Sequence, residues 1–287
     1  NGADTLVSFG LNSKLVRKNG IITEEVYKLG GLYGEAIQQI VYWLEKAAEV
    51  AENEHQKTVI GSLVKYYETG DLSIWDEYNV LWVQDLDSHI DFVNGFIENY
   101  GDPMGLKATW ESVVNFKDIK ATQRAETISA NAQWFEDHSP VEPRFKKAEV
   151  KGVSAKVITA AQLGGDCYPS TPIGINLPNA DWIRKEHGSK SVTIENITYA
   201  YDQAAIGNGM IEEFAASPEE IELSKNYGSL ASNLHTDLHE CLGHGSGQLL
   251  PGTRGDELKN YGSPHEEARA DLFALYYIAD PKMMELG

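Results

Sequence analysis

His239-Glu240-Cys241-Leu242-Gly243-His244 sets two imidazoles around a carboxylate, and the reading of these six residues decides what the rest of the chain must build. On an ideal helix, residues four apart lie about 40° from each other around the axis, whereas residues five apart lie about 140° apart. His239 and His244 are five apart, so a regular helix would aim them in different directions. One residue must be absorbed. Gly243 can accept a one-residue bulge, a distortion that concentrates at functional sites in helices. With the bulge both imidazoles can grip one ion; without it they are two unrelated surface histidines.

A third ligand is expected from Gly262-Ser263-Pro264-His265-Glu266-Glu267-Ala268-Arg269-Ala270-Asp271, which opens as a helix with Ser263 at the cap and Pro264 just inside. On it, Glu267 and Asp271 are four apart and share a face. Two His and one Glu leave a fourth coordination position for water, the donor set of a catalytic zinc site and not of a closed structural one. We therefore expect one zinc ion on His239, His244 and Glu267. Glu240, beside the first ligand but poorly placed to bind the same ion, is the candidate general base that takes a proton from the attacking water.

Upstream, Ser217-Pro218-Glu219-Glu220 has a capping residue, Pro at the first helical position and Glu three residues on, so a helix runs from there towards His239, with a break near Gly228. Apolar spacing predicts further helices at 23–53, 55–70, 86–99 and 119–137. Between 148 and 195 the texture changes: Val157, Ile158, Ile173, Ile175, Val192 and Ile194 are β-branched and bounded by Gly, Pro and Asn. The expected class is α+β, a predominantly helical zinc-binding lobe with a smaller β-rich portion. Residues 1–147 form a mainly helical region contributing to both lobes, 148–195 the β-rich segment of the substrate-binding lobe, and 196–287 the zinc-binding region.

At 287 residues a chain is long enough for two lobes with a cleft between them. The net charge of -19 argues against nucleic acid, which needs clustered Lys and Arg, and suits the positively charged amino termini of peptides. No apolar run approaches the roughly 18 residues of a membrane span. Two cysteines, Cys167 and Cys241, are too few for a disulfide framework and point to a reducing, cytoplasmic compartment. The chain opens on Asn1 without a signal segment and ends just after Pro281 restarts a helix, so an excerpt of a longer protein is expected.

Competing motifs are weaker. The run Gly243, Gly245, Gly247 follows a helix and not a strand, which argues against phosphate binding. Ser246 does not fit a nucleophile elbow. His235 lies four residues before His239 but has no carboxylate placed as a base beside it, so it reads as a hydrogen-bonded surface histidine.

The two motifs resemble those of the dipeptidyl peptidase III family of zinc exopeptidases, His-Glu-x-x-Gly-His followed by Glu-Glu-x-Arg-Ala-Glu or Asp. The likeness extends to Phe96-Ile97-Glu98-Asn99-Tyr100-Gly101-Asp102-Pro103 and Pro172-Ile173-Gly174-Ile175-Asn176-Leu177-Pro178-Asn179. The resemblance implies release of dipeptides from the free amino end of short peptides, in a cleft between a helical zinc lobe and one containing a β-barrel. It implies that Glu98, Asn176 and Asn179 capture the substrate ammonium and backbone, and that Tyr100 donates to the developing oxyanion. By the same matching, Glu266 and Asp271 orient the ligand imidazoles, although Glu266 competes with a capping role beside Ser263.

Three departures point to a bacterial-type branch: a short connection of 22 residues between His244 and Glu267, Asp271 in place of Glu, and Cys241 where many members have Leu. The alternative, from another class, is a non-catalytic zinc- or peptide-binding module. An intact Glu240 argues against it, because a binder needs the ligands but has no use for the base.

Overall fold

The computed structural model describes residues 10–150, 153–253 and 257–287, the side chains of 120, 153–155 and 260 excepted. The described residues open with β1 (Ser13–Lys18) and β2 (Ile21–Val26), followed by α1 (Gly34–Glu49), α2 (Glu54–Thr69) and α3 (Leu72–Gln84). Strands β3 (Ile90–Phe96) and β4 (Trp110–Lys117) lead into α4 (Ile119–Ala130) and α5 (Ala132–His138). Then come β5 (Val153–Gly165), β6 (Gly174–Leu177), α6 (Asp181–His187) and β7 (Ser189–Ile194). Helices α7 (Glu195–Ala205), α8 (Met210–Phe214), α9 (Pro218–Leu238), α10 (Gly262–Tyr277) and α11 (Pro281–Leu286) complete it. The α+β class expected from the sequence holds. Among the described residues, no helix is long and apolar enough to cross a membrane.

Two compact units interleave along the chain. The first comprises Asn1–Asn115, Ala161–Thr171 and Pro178–His187. On α2, Val59, Ile60, Leu63, Tyr66 and Tyr67 recur at helical spacing and are all buried, forming the middle of a three-helix layer with α1 and α3. The Tyr66 ring meets Trp75 of α3 at 4.9 Å. The Tyr67 hydroxyl joins helix to strands, donating to Asn94 and accepting from the Trp110 indole at 2.8 Å, so its burial leaves no polar group unmatched.

The second unit comprises Phe116–Ala160, Pro172–Leu177 and Gly188–Gly287. Its core gathers Phe135, Val157, Leu238, Leu242, Phe273 and Tyr277. Phe135 and Tyr277 meet edge to face at 4.8 Å, and the Tyr277 hydroxyl donates to the Phe135 carbonyl at 2.6 Å. In this unit β7 pairs parallel with the first half of β5 and antiparallel with β6. Both cysteines are free and buried.

Several expected elements are redrawn. The helix expected at 23–53 begins only at Gly34, because Asn19-Gly20, both at positive φ, make a hairpin turn that pairs Ile21–Val26 with β1. The helix expected at 86–99 is strand β3. That at 119–137 divides at Asn131 into α4 and α5, and α9 runs through Gly228 unbroken. The start of α9 is as expected: the Ser217 hydroxyl accepts the Glu220 N–H, and the Glu220 carboxylate accepts the Ala216 N–H at 2.8 Å.

Candidate metal centre

Helix α9 does not end at Leu238 but passes into a π-helical turn, His239–Gly243, closed by a hydrogen bond from the His244 N–H to the His239 carbonyl at 3.0 Å. This bond between residues five apart absorbs the extra residue of the motif and brings the two imidazoles together edge to face, their centroids 4.7 Å apart. Their Nε2 atoms face each other at 3.1 Å. Gly243 serves the turn differently from expectation. Its φ is not in the left-handed region; what it supplies is space, since a Cβ there would lie 2.7 Å from the Ala270 Cα of α10.

That close approach brings the second motif onto the first. Glu267 Oε2 lies 3.3 Å from His239 Nε2 and 3.7 Å from His244 Nε2. Asp271 Oδ1 takes His239 Nδ1 at 2.8 Å, and Glu266 Oε1 takes His244 Nδ1 at 3.0 Å. Each carboxylate holds the proton on Nδ1, so the Nε2 lone pairs point at each other. Two lone pairs at that distance repel unless a cation lies between them. A tetrahedral ion with bonds of about 2.0–2.1 Å would separate its ligand atoms by roughly 3.3–3.5 Å, and the triangle of His239, His244 and Glu267 has those edges within a few tenths of an ångström. Glu240 joins the two histidines in a looser group, its ligand atom and theirs all within 4.8 Å of one another. The donor set therefore fits a zinc ion.

The surrounding charge favours a cation. Burial works against protonating His244, but the Glu266 hydrogen bond and the charges of Glu240 and Glu267 outweigh it and hold its pKa above the ordinary imidazole value. Burial likewise opposes ionisation of Glu266, yet hydrogen bonds from His244 and Arg269 bring its pKa down to about 2. Arg269 grips Glu266 through Nε and Nη2, a bidentate pair that the sequence reading passed over although Glu at i and Arg at i+3 is a legible helix pair. Helix α10 begins at Gly262, with Tyr261 as its N-cap and no side-chain cap bond, so Ser263 is not the cap and Glu266 is free of the competing role. His235 has Asp271 Oδ1 at 3.7 Å.

Glu240 is buried, and β6 backs it: a Cβ on Gly174 would lie 2.3 Å from Glu240 Oε1. Two residues along the same strand, Asn176 Nδ2 donates to Ser191 Oγ at 2.5 Å, and Ser191 Oγ donates to the Glu240 backbone carbonyl at 3.1 Å. Asn176 is thus tied to the metal-binding turn through β7.

In the first unit, the Thr109 carbonyl accepts from the Ile97 N–H at 3.1 Å and its own N–H donates to the Glu98 carbonyl at 2.9 Å, so Ile97 and Glu98 both stand opposite Thr109 just beyond the ends of β3 and β4. Asn179 Nδ2 donates to Glu98 Oε1 at 2.9 Å, and Arg184 Nη2 donates to Asn179 Oδ1 at 3.2 Å. Tyr100 is exposed. The sequence reading missed Glu111, only 8 % exposed, which accepts the Cys167 thiol at 3.5 Å. Burial first, and then the charge of Glu98, pushes its pKa up to about 7.

The family model of peptidase family M49 matches residues 12–260. Dipeptidyl peptidase 3 of Rattus norvegicus is 27% identical over 291 residues, covering 89% of this chain and 38% of its own. Nudix hydrolase 3 of Arabidopsis thaliana is 29% identical over 257 residues, covering 85% of this chain and 32% of its own. The solved structure of DPP III from Caldithrix abyssi shares the fold at a TM-score of 0.80 and 23% identity, over 96% of this chain and 54% of that one. The chain thus spans about four-tenths or less of the length of these curated relatives.

Proposed function

The chain belongs to peptidase family M49, a family of metallopeptidases, and from that premise we propose that it is a zinc-dependent exopeptidase releasing dipeptides from the amino end of short peptides. The observation that carries the reading is the triangle of His239, His244 and Glu267, with both Nδ1 atoms already committed to carboxylates. These three residues would hold one zinc ion per chain. When bound, the ion supplies Lewis acidity that polarises the scissile carbonyl and makes water easier to deprotonate.

The chain's own groups do the rest. Glu240 accepts a proton from the attacking water at its carboxylate and delivers it to the departing amine. Gly174 and Ser191, against its side chain and its backbone, keep that carboxylate from drifting. Asp271 and Glu266 hold the imidazole tautomers. Glu98, with Asn179 hydrogen-bonded to it, receives the substrate ammonium. Asn176, which donates to Ser191 Oγ, contacts the substrate backbone, and the Tyr100 hydroxyl donates to the oxyanion.

The test pairs metal analysis with release of a chromogenic dipeptide from a short amino-terminal substrate. We expect one zinc per chain, and we expect Glu240→Gln to keep the zinc while losing turnover by roughly 10²- to 10⁴-fold, the range of general-base catalysis. Loss of zinc in Glu240→Gln would make Glu240 a ligand. Zinc without turnover in the full-length protein would favour a non-catalytic zinc- or peptide-binding module.

A further inference from the structure

Glu136 is 2 % exposed, on α5, more than a hundred residues before the metal-binding turn. A carboxylate is rarely buried so completely unless it is fully hydrogen-bonded. Among the described residues its hydrogen-bond partners are backbone amides. Oε1 accepts the Lys147 N–H at 2.5 Å, and the two oxygens accept the Gly247 N–H at 3.1 and 3.2 Å. Gly247 lies three residues after His244, in the loop by which the chain leaves the metal site.

The same loop is tied twice more to the strap around Lys147. The Lys147 ammonium donates to the Gly245 carbonyl at 2.5 Å, and the Gln248 N–H donates to the Phe145 carbonyl at 2.8 Å. Gly245-Ser246-Gly247 has little intrinsic preference for one backbone path, and Gly247 sits at φ +70°. External contacts therefore decide where Ser246 points. Its hydroxyl donates to the Gly243 carbonyl and accepts from Arg269 Nη1, each at 2.9 Å. Arg269 grips Glu266, and Glu266 holds His244 Nδ1.

We propose that Glu136 is a positioning residue for the metal centre: its buried carboxylate clamps the loop after His244, and through Ser246, Arg269 and Glu266 it sets the aim of the His244 imidazole. This rests on the zinc-site reading above. A carboxylate receiving backbone N–H groups makes charge-assisted bonds about twice as strong as neutral ones, so one buried side chain suffices to fix a glycine-rich loop. Groups that orient a metal ligand typically alter metal affinity by 10- to 100-fold when changed, a scale that applies here because the route ends on a ligand nitrogen.

The experiment measures the zinc dissociation constant by competition with a chromogenic chelator, beside the melting temperature of the zinc-free protein. Three variants are compared with the wild type: Glu136→Gln, Ser246→Ala and Phe135→Leu. Phe135 is the neighbour of Glu136, fully buried in the same core but without a bond to the loop, so Phe135→Leu reports the effect of lost stability alone. We expect Glu136→Gln to weaken zinc binding about 10- to 100-fold, Ser246→Ala to weaken it in the same direction, and Phe135→Leu to lower the melting temperature with zinc affinity unchanged. Unchanged affinity in Glu136→Gln, or an equal loss in Phe135→Leu, overturns the proposal. Should Glu136→Gln not fold, Ser246→Ala decides, and unchanged affinity there overturns it. A wild type that binds no zinc removes the metal-site reading itself and the clamp with it, an outcome distinct from a binding wild type with unaltered variants.

Discussion

Gly243 lies directly against Ala270: a Cβ on the glycine would come within 2.7 Å of the Ala270 Cα and 2.8 Å of both its Cβ and its carbonyl oxygen. These atoms are backbone and a fully buried methyl, so nothing flexible can give way. Gly243→Ala must therefore push α10 away from the π-helical turn, and Glu266, Glu267 and Asp271 move with it. Overpacking of this kind costs about 1–3 kcal/mol, and the ligand triangle opens at the same time. The expected result is a lower melting temperature together with substoichiometric zinc by elemental analysis. Full zinc occupancy would show that the helices are not locked at this contact.

Asp271 holds His239 Nδ1 at 2.8 Å and is half exposed, so its replacement leaves no buried charge unpaired. Asp271→Asn should fold with near-native stability, because exposed ion pairs contribute little, about 0–1 kcal/mol. Metal affinity should nonetheless fall roughly 10- to 100-fold, since an amide no longer fixes the tautomer that leaves Nε2 unprotonated. Chelator competition measures this, and an affinity equal to wild type would remove Asp271 from the metal centre.

How much of this was legible in the sequence depends on what kind of force each residue answers to. The two histidines, the extra residue between them and the Glu266–Asp271 face are local spacing, and spacing survives into the structure. Residues 86–99 show the opposite case. Leu86, Ile90, Val93 and Ile97 recur at i, i+4, i+7 and i+11, which is helical, yet Ile90–Phe96 is a strand. What decides it is distant: Gly95 lies so close to Trp75 that a Cβ would be 2.4 Å from the ring, and the segment pairs with β4. Tertiary packing overrides periodicity there. The reason for Gly243 was also misjudged, because backbone freedom can be argued from the residue type alone, whereas a close approach to α10 requires knowing what faces it.

Glu111 shows that burial of a charge was legible in principle. In β4 it shares a face with Val113 and Asn115, so alternation puts a carboxylate among inward positions. Its pKa rises from 4.5 to about 7, first through burial and then through the charge of Glu98. A carboxyl whose folded pKa lies above its unfolded value keeps its proton in the native state while the unfolded chain has lost it. Stability is therefore complete below about pH 4.5 and declines as pH rises towards 7, by up to about 3 kcal/mol from this group. Glu111→Gln removes the titration, so the difference between its denaturation midpoint and that of the wild type should grow in the variant's favour between pH 4.5 and 7. A difference that stays constant across that range would mean that Glu111 is not held protonated.

Gly174 offers a test of Glu240 that leaves the metal ligands untouched. A Cβ at residue 174 would lie 2.3 Å from Glu240 Oε1, 2.9 Å from Cδ and 3.1 Å from Cγ, so the whole carboxylate arm must shift and not its tip alone. Gly174 has no left-handed φ, so alanine is acceptable to the backbone and the effect of Gly174→Ala is one of space. The strand should keep its pairing with β7, and zinc content should remain at the wild-type level. Displacing a general base by even an ångström removes much of the 10²- to 10⁴-fold that proton transfer contributes, so kcat should fall at least about tenfold. KM should change little, because the residue touches the base and not the groups assigned to the substrate amino end. A fall in zinc content instead would place Glu240 among the ligands, and an unchanged kcat would mean that β6 does not hold the carboxylate in its working position.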